Sequence, residues 1–401
     1  MSENQRVTGR RALLRRIREA ERIPRIELAD ITGISRATVT TITAELLQHG
    51  LIEEVRRDQS EAETGRGRPR VDLKIRGAAR LVAGVKISAS VLSLVLLDFE
   101  GAELGALETE MDGAVQDASD LAGHIRTAIE RMAANAGLGL ADISGVGIGI
   151  AGTVDAEHGF VYWSPSLSQR NVEFARIATG VLGIPTVIDN DANLVAVAEK
   201  TFGLGRGHSD FIVVTIESGV GMGIFLKDKL YRGTRGCGAE FGHTKVQLEG
   251  ALCRCGQRGC LEAYVADYAL LREAGTLPGA APARTDAGKI EALLNAARDG
   301  DPMARSIVER AGRMFALGLA NLVNIFDPEL IVLAGEQMQF DHLFADEVIE
   351  AMRKSIVQVD KAPPEVVIHK WGNLMWARGA AAYALDHVTE TALTEMATNA
   401  A

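Results

Sequence analysis

Residues 233–264 read GTRGCGAEFGHTKVQLEGALCRCGQRGCLEAY, and they combine one histidine with a close group of cysteines. The side chains His243, Cys253, Cys255 and Cys260 follow the pattern H-x9-C-x-C-x4-C. The glycines in CRCGQRGC suit the tight turns that bring such ligands together. Soft thiolates with one imidazole favour tetrahedral zinc, and four protein ligands leave no open position for a catalytic water. The pattern therefore predicts a structural zinc site.

A different interpretation of these cysteines stays open at this point. They could be free thiols in a reducing compartment, with His243 a surface residue. A disulfide framework fits poorly, because three cysteines within eight residues would leave one of them unpaired. Cys237 has no partner in the zinc scheme, and we expect it to be a small packing residue.

The length and composition indicate a multidomain globular protein. With 401 residues, 47% of them hydrophobic, the chain is too long for one ordinary core. No stretch approaches the ~18 consecutive apolar residues of a membrane-spanning helix. The polar start MSENQRVTGRR lacks the apolar core of a signal peptide. We therefore expect a cytoplasmic protein without a membrane partner.

Charge is distributed unevenly along the chain. Residues 1–80 contain 17 Lys and Arg against 12 Asp and Glu, whereas residues 81–401 contain 26 against 41. A basic end on an acidic body is typical of a polyanion-binding arm attached to a larger domain.

The basic region has the pattern of a winged helix-turn-helix. An amphipathic helix is predicted over residues 10–20 and a short one over residues 26–31. Gly33 then interrupts the chain, and Ser35 offers an N-cap to a third helix that runs to about residue 49. Two short strands follow, and they flank the Arg-rich and Gly-rich segment 57–70, which has the character of a wing.

In a helix-turn-helix, the first turn of the second helix carries the side chains that reach base edges. Arginine can bind guanine through two hydrogen bonds, and threonine and alanine methyl groups can contact thymine. Wing arginines suit a narrow minor groove. An alternative is a protein-interaction domain with a solvated linker, but the wing and the positive charge favour DNA binding. The predicted DNA-binding residues are Ser35, Arg36, Ala37, Thr38, Thr40, Thr41, Arg66, Arg68 and Arg70.

From residue 81 the sequence changes to apolar strands that alternate with helical segments, which predicts an α/β body with a mixed sheet. The last helix is predicted over residues 374–387. The closing stretch TETALTEMATNAA is expected to be a frayed tail.

Three motifs of the body resemble the ROK family (repressor, open reading frame, kinase). They are GIAGTVD at 149–155, IDNDANLVAVAE at 188–199 and the segment 233–264, in that order. The resemblance implies a two-lobed, actin-like sugar kinase fold. The predicted N-terminal winged helix is similar to the one found in the repressor branch of the family. That branch includes the N-acetylglucosamine and xylose repressors. The expected domains are residues 1–78, residues 79–200 completed by the helix 374–388, and residues 201–373.

The resemblance also implies a set of sugar ligands. Asn190, Asp191, Glu240, His243 and Glu262 match sugar-binding positions of the family, and Asp191 matches the general base of its kinases. Carboxylates and imidazoles suit sugars, because they can accept hydrogen bonds from, or donate them to, pairs of neighbouring hydroxyl groups on the sugar ring. One ring nitrogen of His243 could bind zinc while the other faces the sugar.

The kinase part of the resemblance fails at the nucleotide loops. ROK kinases carry an Asp-x-Gly-Gly-Thr-like phosphate loop where this chain has KISAS at 86–90, so Lys86 replaces the acid. The second loop, which resembles Gly-Thr-Gly in the kinases, reads ESG at 217–219 and places Glu217 where phosphate would lie. The late adenosine-side motif reads LAGEQ at 333–337. Phosphoryl transfer needs positioned donors around the phosphate, so we expect no enzyme activity.

Together these patterns predict a sugar-responsive repressor of carbohydrate-metabolism genes. It would bind operator DNA as a homodimer or homotetramer, and a sugar or sugar phosphate would alter the spacing of its winged helices. Two rival hypotheses stay open. One is an active ROK sugar kinase with a DNA-binding arm, and the other is a repressor that a partner protein controls.

Overall fold

The computed structural model describes residues 3–56, 71–88, 90–111, 115–275, 285–335, 346–370, 372 and 374–398. Its N-terminal part packs three helices against a small antiparallel sheet in the order β1-β3-β2. The elements are α1 (Glu3–Ala20), β1 (Ile23–Pro24), α2 (Arg25–Thr32), α3 (Arg36–Gln48), β2 (Ile52–Arg56) and β3 (Val71–Ile75).

The turn between α2 and α3 forms for the local reasons that the sequence indicated. Gly33 ends α2 in the left-handed conformation, with a φ of 66°. The Ser35 hydroxyl then accepts a hydrogen bond from the Thr38 backbone nitrogen at 3.2 Å and caps α3. The predicted wing, residues 57–70, lies outside the described residues.

The first lobe of the body is built on a five-stranded sheet in the order β10-β7-β4-β5-β6. A small hairpin, β8 (Thr153–Asp155) and β9 (Phe160–Trp163), follows β7. The five strands are β4 (Leu81–Ile87), β5 (Val91–Asp98), β6 (Glu103–Glu110), β7 (Ile143–Ile150) and β10 (Thr186–Asn190). The helices of this part of the chain are α4 (Ala118–Asn135), α5 (Phe174–Leu182) and α6 (Asp191–Phe202).

The second lobe has a five-stranded sheet in the order β13-β12-β11-β14-β15. Its strands are β11 (Phe211–Ile216), β12 (Val220–Leu226), β13 (Lys229–Tyr231), β14 (Leu330–Ala334) and β15 (Glu365–Ile368). The associated helices are α7 (Glu262–Val265), α8 (Asp267–Ala274), α9 (Asp286–Arg298), α10 (Pro302–Phe326) and α11 (Asp346–Ser355). Within the described segments, no helix combines the length and the apolar character needed to cross a membrane.

The last helix, α12 (Met375–Thr398), returns to the first lobe and packs on β4 and β7. The prediction of a frayed tail was wrong, because the helix continues to Thr398. Leu393 and Met396 are buried in one hydrophobic core with residues of α1, which supplies the apolar surface that orders this segment.

Close contact between α12 and the sheet depends on strand glycines. A Cβ atom at Gly147 of β7 would lie 1.9 Å from the Ala380 carbonyl oxygen, and one at Gly84 of β4 would lie 2.0 Å from the Ala377 carbonyl oxygen. Real side chains cannot approach backbone so closely, so these two positions set the distance between helix and sheet.

We expect Gly147→Ala to lower the free energy of unfolding by about 3 kcal/mol, because overpacking against backbone forces the helix away from the sheet. Calorimetric melting of the full chain would measure the loss. Gly180→Ala in α5 is the matched control, since its Cβ would meet no heavy atom within 4 Å. That variant should gain ~0.5 to 1 kcal/mol from helix propensity. Equal melting temperatures for the two variants would contradict the close approach.

Helix α1 joins the N-terminal part to both lobes. Arg11 pairs with Glu390 of α12, on the first lobe. The Arg15 guanidinium lies 3.6 Å from the Asp228 carboxylate in the turn between β12 and β13, on the second lobe. The winged helix therefore contacts both sides of the body through one element.

Candidate ligand cleft, metal cluster and nucleic-acid interface

The predicted ligands Asn190 and Asp191 lie where β10 ends and α6 begins. The Asn190 amide donates to the Gly152 carbonyl at 2.9 Å, and its oxygen accepts from the Ala192 nitrogen at 2.9 Å. Asn190 is therefore held in place by the fold. Desolvation raises the pKa of the Asp191 carboxyl, while the positive charge of Lys86 opposes that shift.

A buried ion pair beneath these residues was missed by sequence reasoning. Arg232, which follows β13, donates from Nε and Nη2 to Asp189 Oδ2 at 2.8 Å and 2.6 Å. Asn193 Nδ2 also donates to Asp189 Oδ1, at 2.9 Å. The pair ties the end of β10 to the second lobe. The motif IDNDAN shows an aspartate, but nothing in the sequence indicates which arginine meets it.

Glu240 and Glu262 are brought into the same region as Asp191. Desolvation raises the pKa of Glu240; His243 lowers it, while the negative charges of Glu262 and Asp191 raise it further. Glu262 is largely buried, and its Oε2 accepts from the Val220 nitrogen at 3.3 Å. Glu240 thus interacts electrostatically with both other carboxyl groups. Carboxylates in one region can accept hydrogen bonds from several hydroxyls.

The four predicted metal ligands form one cluster. The ligand atoms of His243, Cys253, Cys255 and Cys260 all lie within 4.8 Å of one another. Cys255 Sγ is 3.7 Å from Cys260 Sγ, and Cys253 Sγ is 3.7 Å from His243 Nδ1. A tetrahedron with zinc–sulfur bonds of ~2.3 Å has edges of ~3.8 Å, so the spacing fits such a centre. The cluster could hold a metal ion.

Lys245 lies against the cluster, whereas the fourth cysteine of the sequence, Cys237, does not. Lys245 Nζ lies 2.8 Å from Cys260 Sγ, where its positive charge compensates the negative charge of a thiolate. Cys237 lies apart from the cluster, and its thiol donates to the Arg235 carbonyl at 3.2 Å. As expected, Cys237 takes no part in the group of four ligands.

The end of β4 and the loop after β11 contact each other through a pair of charged residues. Lys86 Nζ, at the end of β4, lies 3.3 Å from Glu217 Oε2, which follows β11. The ammonium also lies 3.6 Å from the ring centroid of Trp376 at the start of α12. Sequence reasoning identified both charged residues, but it did not predict that they pair or that the Trp376 ring contacts Lys86. The pair joins the two lobes.

The first turn of α3 presents an exposed surface. The Arg36 side chain is 72% exposed, with Asp30 at 3.9 Å. Ala37, Thr40 and Thr41 are exposed as well. The Thr40 and Thr41 hydroxyls donate to backbone carbonyl oxygens one turn earlier, at 2.8 Å and 3.1 Å. These hydroxyls are thereby engaged within the helix, and their methyl groups are available for apolar contacts.

Ser35 and Thr38 stabilise the start of α3. Their hydroxyl oxygens lie 2.8 Å apart, and the Ser35 hydroxyl accepts the capping hydrogen bond from the Thr38 backbone nitrogen. Their hydroxyls are therefore less available for DNA than those of a free side chain. The remaining predicted contacts, Arg66, Arg68 and Arg70, lie outside the described residues.

The comparisons with known proteins agree with this architecture. The ROK family model matches residues 83–387, and the MarR family model matches residues 10–61. A xylose repressor of Caldicellulosiruptor bescii is 28% identical over 349 residues, 85% of this chain and 86% of the repressor. A glucokinase of Streptomyces coelicolor is 33% identical over 252 residues, 60% of this chain and 80% of the kinase.

Among solved structures, a ROK family transcriptional regulator, a homolog of the Escherichia coli MLC protein, has a TM-score of 0.81. It is 25% identical, and the match covers 99% of this chain and 100% of the regulator. The predicted fold class, a winged helix-turn-helix followed by a two-lobed body, is confirmed. Because the family match spans well over half of the sequence, this chain belongs to the ROK family.

Proposed function

We propose that this protein is a sugar-responsive transcriptional repressor that binds operator DNA through α3 and its wing. The observation that carries the proposal is the exposed first turn of α3, with Arg36 free of the protein core, in a chain whose body is a ROK fold. A repressor must meet its operator, so the proposal places the protein in the cytoplasm, as predicted from the sequence. The DNA-binding residues are those predicted from the sequence.

The proposal excludes sugar phosphorylation as the main activity. A kinase needs cations and backbone donors around the transferred phosphate. Here the Glu217 carboxylate lies in the loop that corresponds to the second phosphate loop of the kinases. Lys86 pairs with Glu217, so its charge is not available to a metal-bound nucleotide. In this scheme Asp191 binds a sugar hydroxyl and no longer acts as a base.

We assign a structural zinc ion to His243, Cys253, Cys255 and Cys260. The donor set fits zinc, and four protein ligands leave no position for catalysis. The ion would fix the loop that carries Glu240 relative to the chain that leads into Glu262. With Nδ1 of His243 on the metal side, Nε2 is left for a sugar hydroxyl.

The response to sugar would pass through α1. Lobe closure on a ligand changes the distance between α12 and the turn that carries Asp228, and α1 contacts both. Two copies of the chain would place two winged helices on half-sites about one helical turn apart. The ligand then alters DNA affinity because it prefers one lobe arrangement. The domain division 1–78, 79–200 with 374–388, and 201–373 belongs to this proposal.

The test begins with operator sequences selected from a random DNA library by the full-length protein. Binding to the selected DNA is then measured in the presence of xylose, glucose and N-acetylglucosamine. We expect one of these sugars to change the dissociation constant by at least about tenfold, a coupling of ~1.4 kcal/mol. Sugar-dependent ATP hydrolysis at a kinase-like rate, or failure to select any DNA, would contradict the proposal.

Arg36→Ala is expected to weaken operator binding by about 1–3 kcal/mol and to relax the preference at one base position. Arg68→Ala in the wing should weaken binding more evenly across sequences. Binding curves on the selected operator and its single-base variants would measure both effects. Arg176→Ala on α5, where the arginine is exposed and pairs with Glu173, is the control and should leave affinity unchanged. A uniform loss for Arg36→Ala would contradict its place in the major groove.

A further inference from the structure

The positive charge of Lys86 acts on the Asp191 carboxyl, and the Lys86 ammonium is already engaged in other contacts. It pairs with Glu217 at 3.3 Å and lies 3.6 Å from the Trp376 ring centroid, and the Lys86 side chain is 10% exposed. A lysine held in this way is poorly placed to bind an added anion, because it would have to leave a carboxylate and an aromatic face.

Several carboxyl groups lie in the same region as Asp191. Glu240 interacts electrostatically with both Asp191 and Glu262. Glu217 belongs to the loop that precedes β12, whose Val220 nitrogen donates to Glu262. Glu217 and Asp191 therefore flank the Lys86 ammonium, and Glu240 and Glu262 add two further carboxyl groups to the same region. A phosphate group carries a charge of about −1.5 to −2 at neutral pH, so this arrangement repels it. Neutral hydroxyl groups, in contrast, can donate hydrogen bonds to carboxylates.

We propose that the cleft selects an uncharged, unphosphorylated sugar, and that the Lys86–Glu217 pair is what excludes the phosphorylated form. The two residues lie in the segments that correspond to the phosphate loops of the kinases, and their opposite charges neutralise each other. The neighbouring carboxylates then remain available to accept hydrogen bonds from sugar hydroxyls. This inference rests on the proposed function, because it names the chemical class of the same ligand.

The experiment is isothermal titration of the full-length, zinc-loaded protein with three pairs of compounds. They are glucose and glucose 6-phosphate, N-acetylglucosamine and its 6-phosphate, and xylose and its 5-phosphate. We expect at least one neutral sugar to bind, and to bind at least about 30-fold more tightly than its own phosphate. This comparison uses the wild-type chain and so does not depend on the folding of a variant.

Glu217→Gln removes one negative charge next to Lys86 and keeps the shape of the side chain. The ratio of phosphate affinity to neutral-sugar affinity should rise at least about tenfold in this variant. Glu173→Gln, an exposed carboxylate paired with Arg176 on α5, is the control and should leave that ratio unchanged.

The outcomes separate the two proposals. A phosphate that binds as tightly as its neutral sugar, or a Glu217→Gln variant with an unchanged ratio, overturns the inference and leaves the sugar-responsive repressor intact. Absence of binding for all six compounds overturns the sugar response itself, and this inference with it.

Discussion

Cys255→Ser is expected to reduce the zinc content of the purified protein from one ion per chain to none. Serine cannot replace a thiolate ligand at neutral pH, and the remaining three side chains would not hold the ion tightly. The loop that carries Glu240 would then lose its anchor to the chain before Glu262. We expect the melting temperature to fall by on the order of 10 °C and sugar binding to be lost with it. Metal analysis and calorimetry would measure both effects.

Cys237→Ser is the matched control, because Cys237 is a cysteine of the same segment that lies outside the cluster. It should keep one zinc ion and the wild-type melting temperature. If Cys255→Ser retained full metal, or if Cys237→Ser lost it, the assigned ligand set would be wrong. Removal of zinc from the wild-type chain with a chelator should reproduce the Cys255→Ser behaviour.

Asp191→Ala is expected to abolish the sugar response while operator binding is preserved. Each hydrogen bond from a sugar hydroxyl to a carboxylate contributes about 1.5–3 kcal/mol. Removal of a carboxylate that binds two hydroxyls should therefore lower the affinity for the sugar roughly 100-fold or more. The variant should nevertheless fold well. The Asn190 side chain caps α6 by accepting from the Ala192 nitrogen, so removal of the Asp191 carboxyl should leave the helix start intact and the melting temperature little changed.

Titration with the sugar that binds the wild-type chain would measure the affinity, and DNA binding with and without that sugar would measure the response. Asp299→Ala, an exposed position at the end of α9, is the control and should behave as the wild type. An Asp191→Ala variant that still releases DNA on addition of sugar would refute the assignment of Asp191 to the sugar site. Loss of DNA binding in the absence of sugar would point instead to a folding defect.

The helix-turn-helix and the metal cluster could be predicted because their determinants lie close together in the sequence. Gly33 and Ser35 set the turn through their own backbone and side-chain preferences. Cys253, Cys255 and Cys260 need only short, glycine-containing turns to meet. Local conformational preferences act over a few residues, so a pattern at short spacing is enough to predict the structure.

The features that the sequence did not reveal are contacts between distant segments. Lys86 meets Glu217, 131 positions later. Asp189 meets Arg232 only because the end of β10, an edge strand of one sheet, comes close to the end of β13, an edge strand of the other. Leu393 and Met396 looked like part of a loose tail, but α1 buries them. Which charges pair and which apolar residues are covered depends on how helices and sheets pack, and single-sequence patterns do not encode that packing. The sequence thus determined the fold class and the candidate ligands, whereas the tertiary structure decided which charges neutralise each other in the cleft and how the winged helix is attached to both lobes.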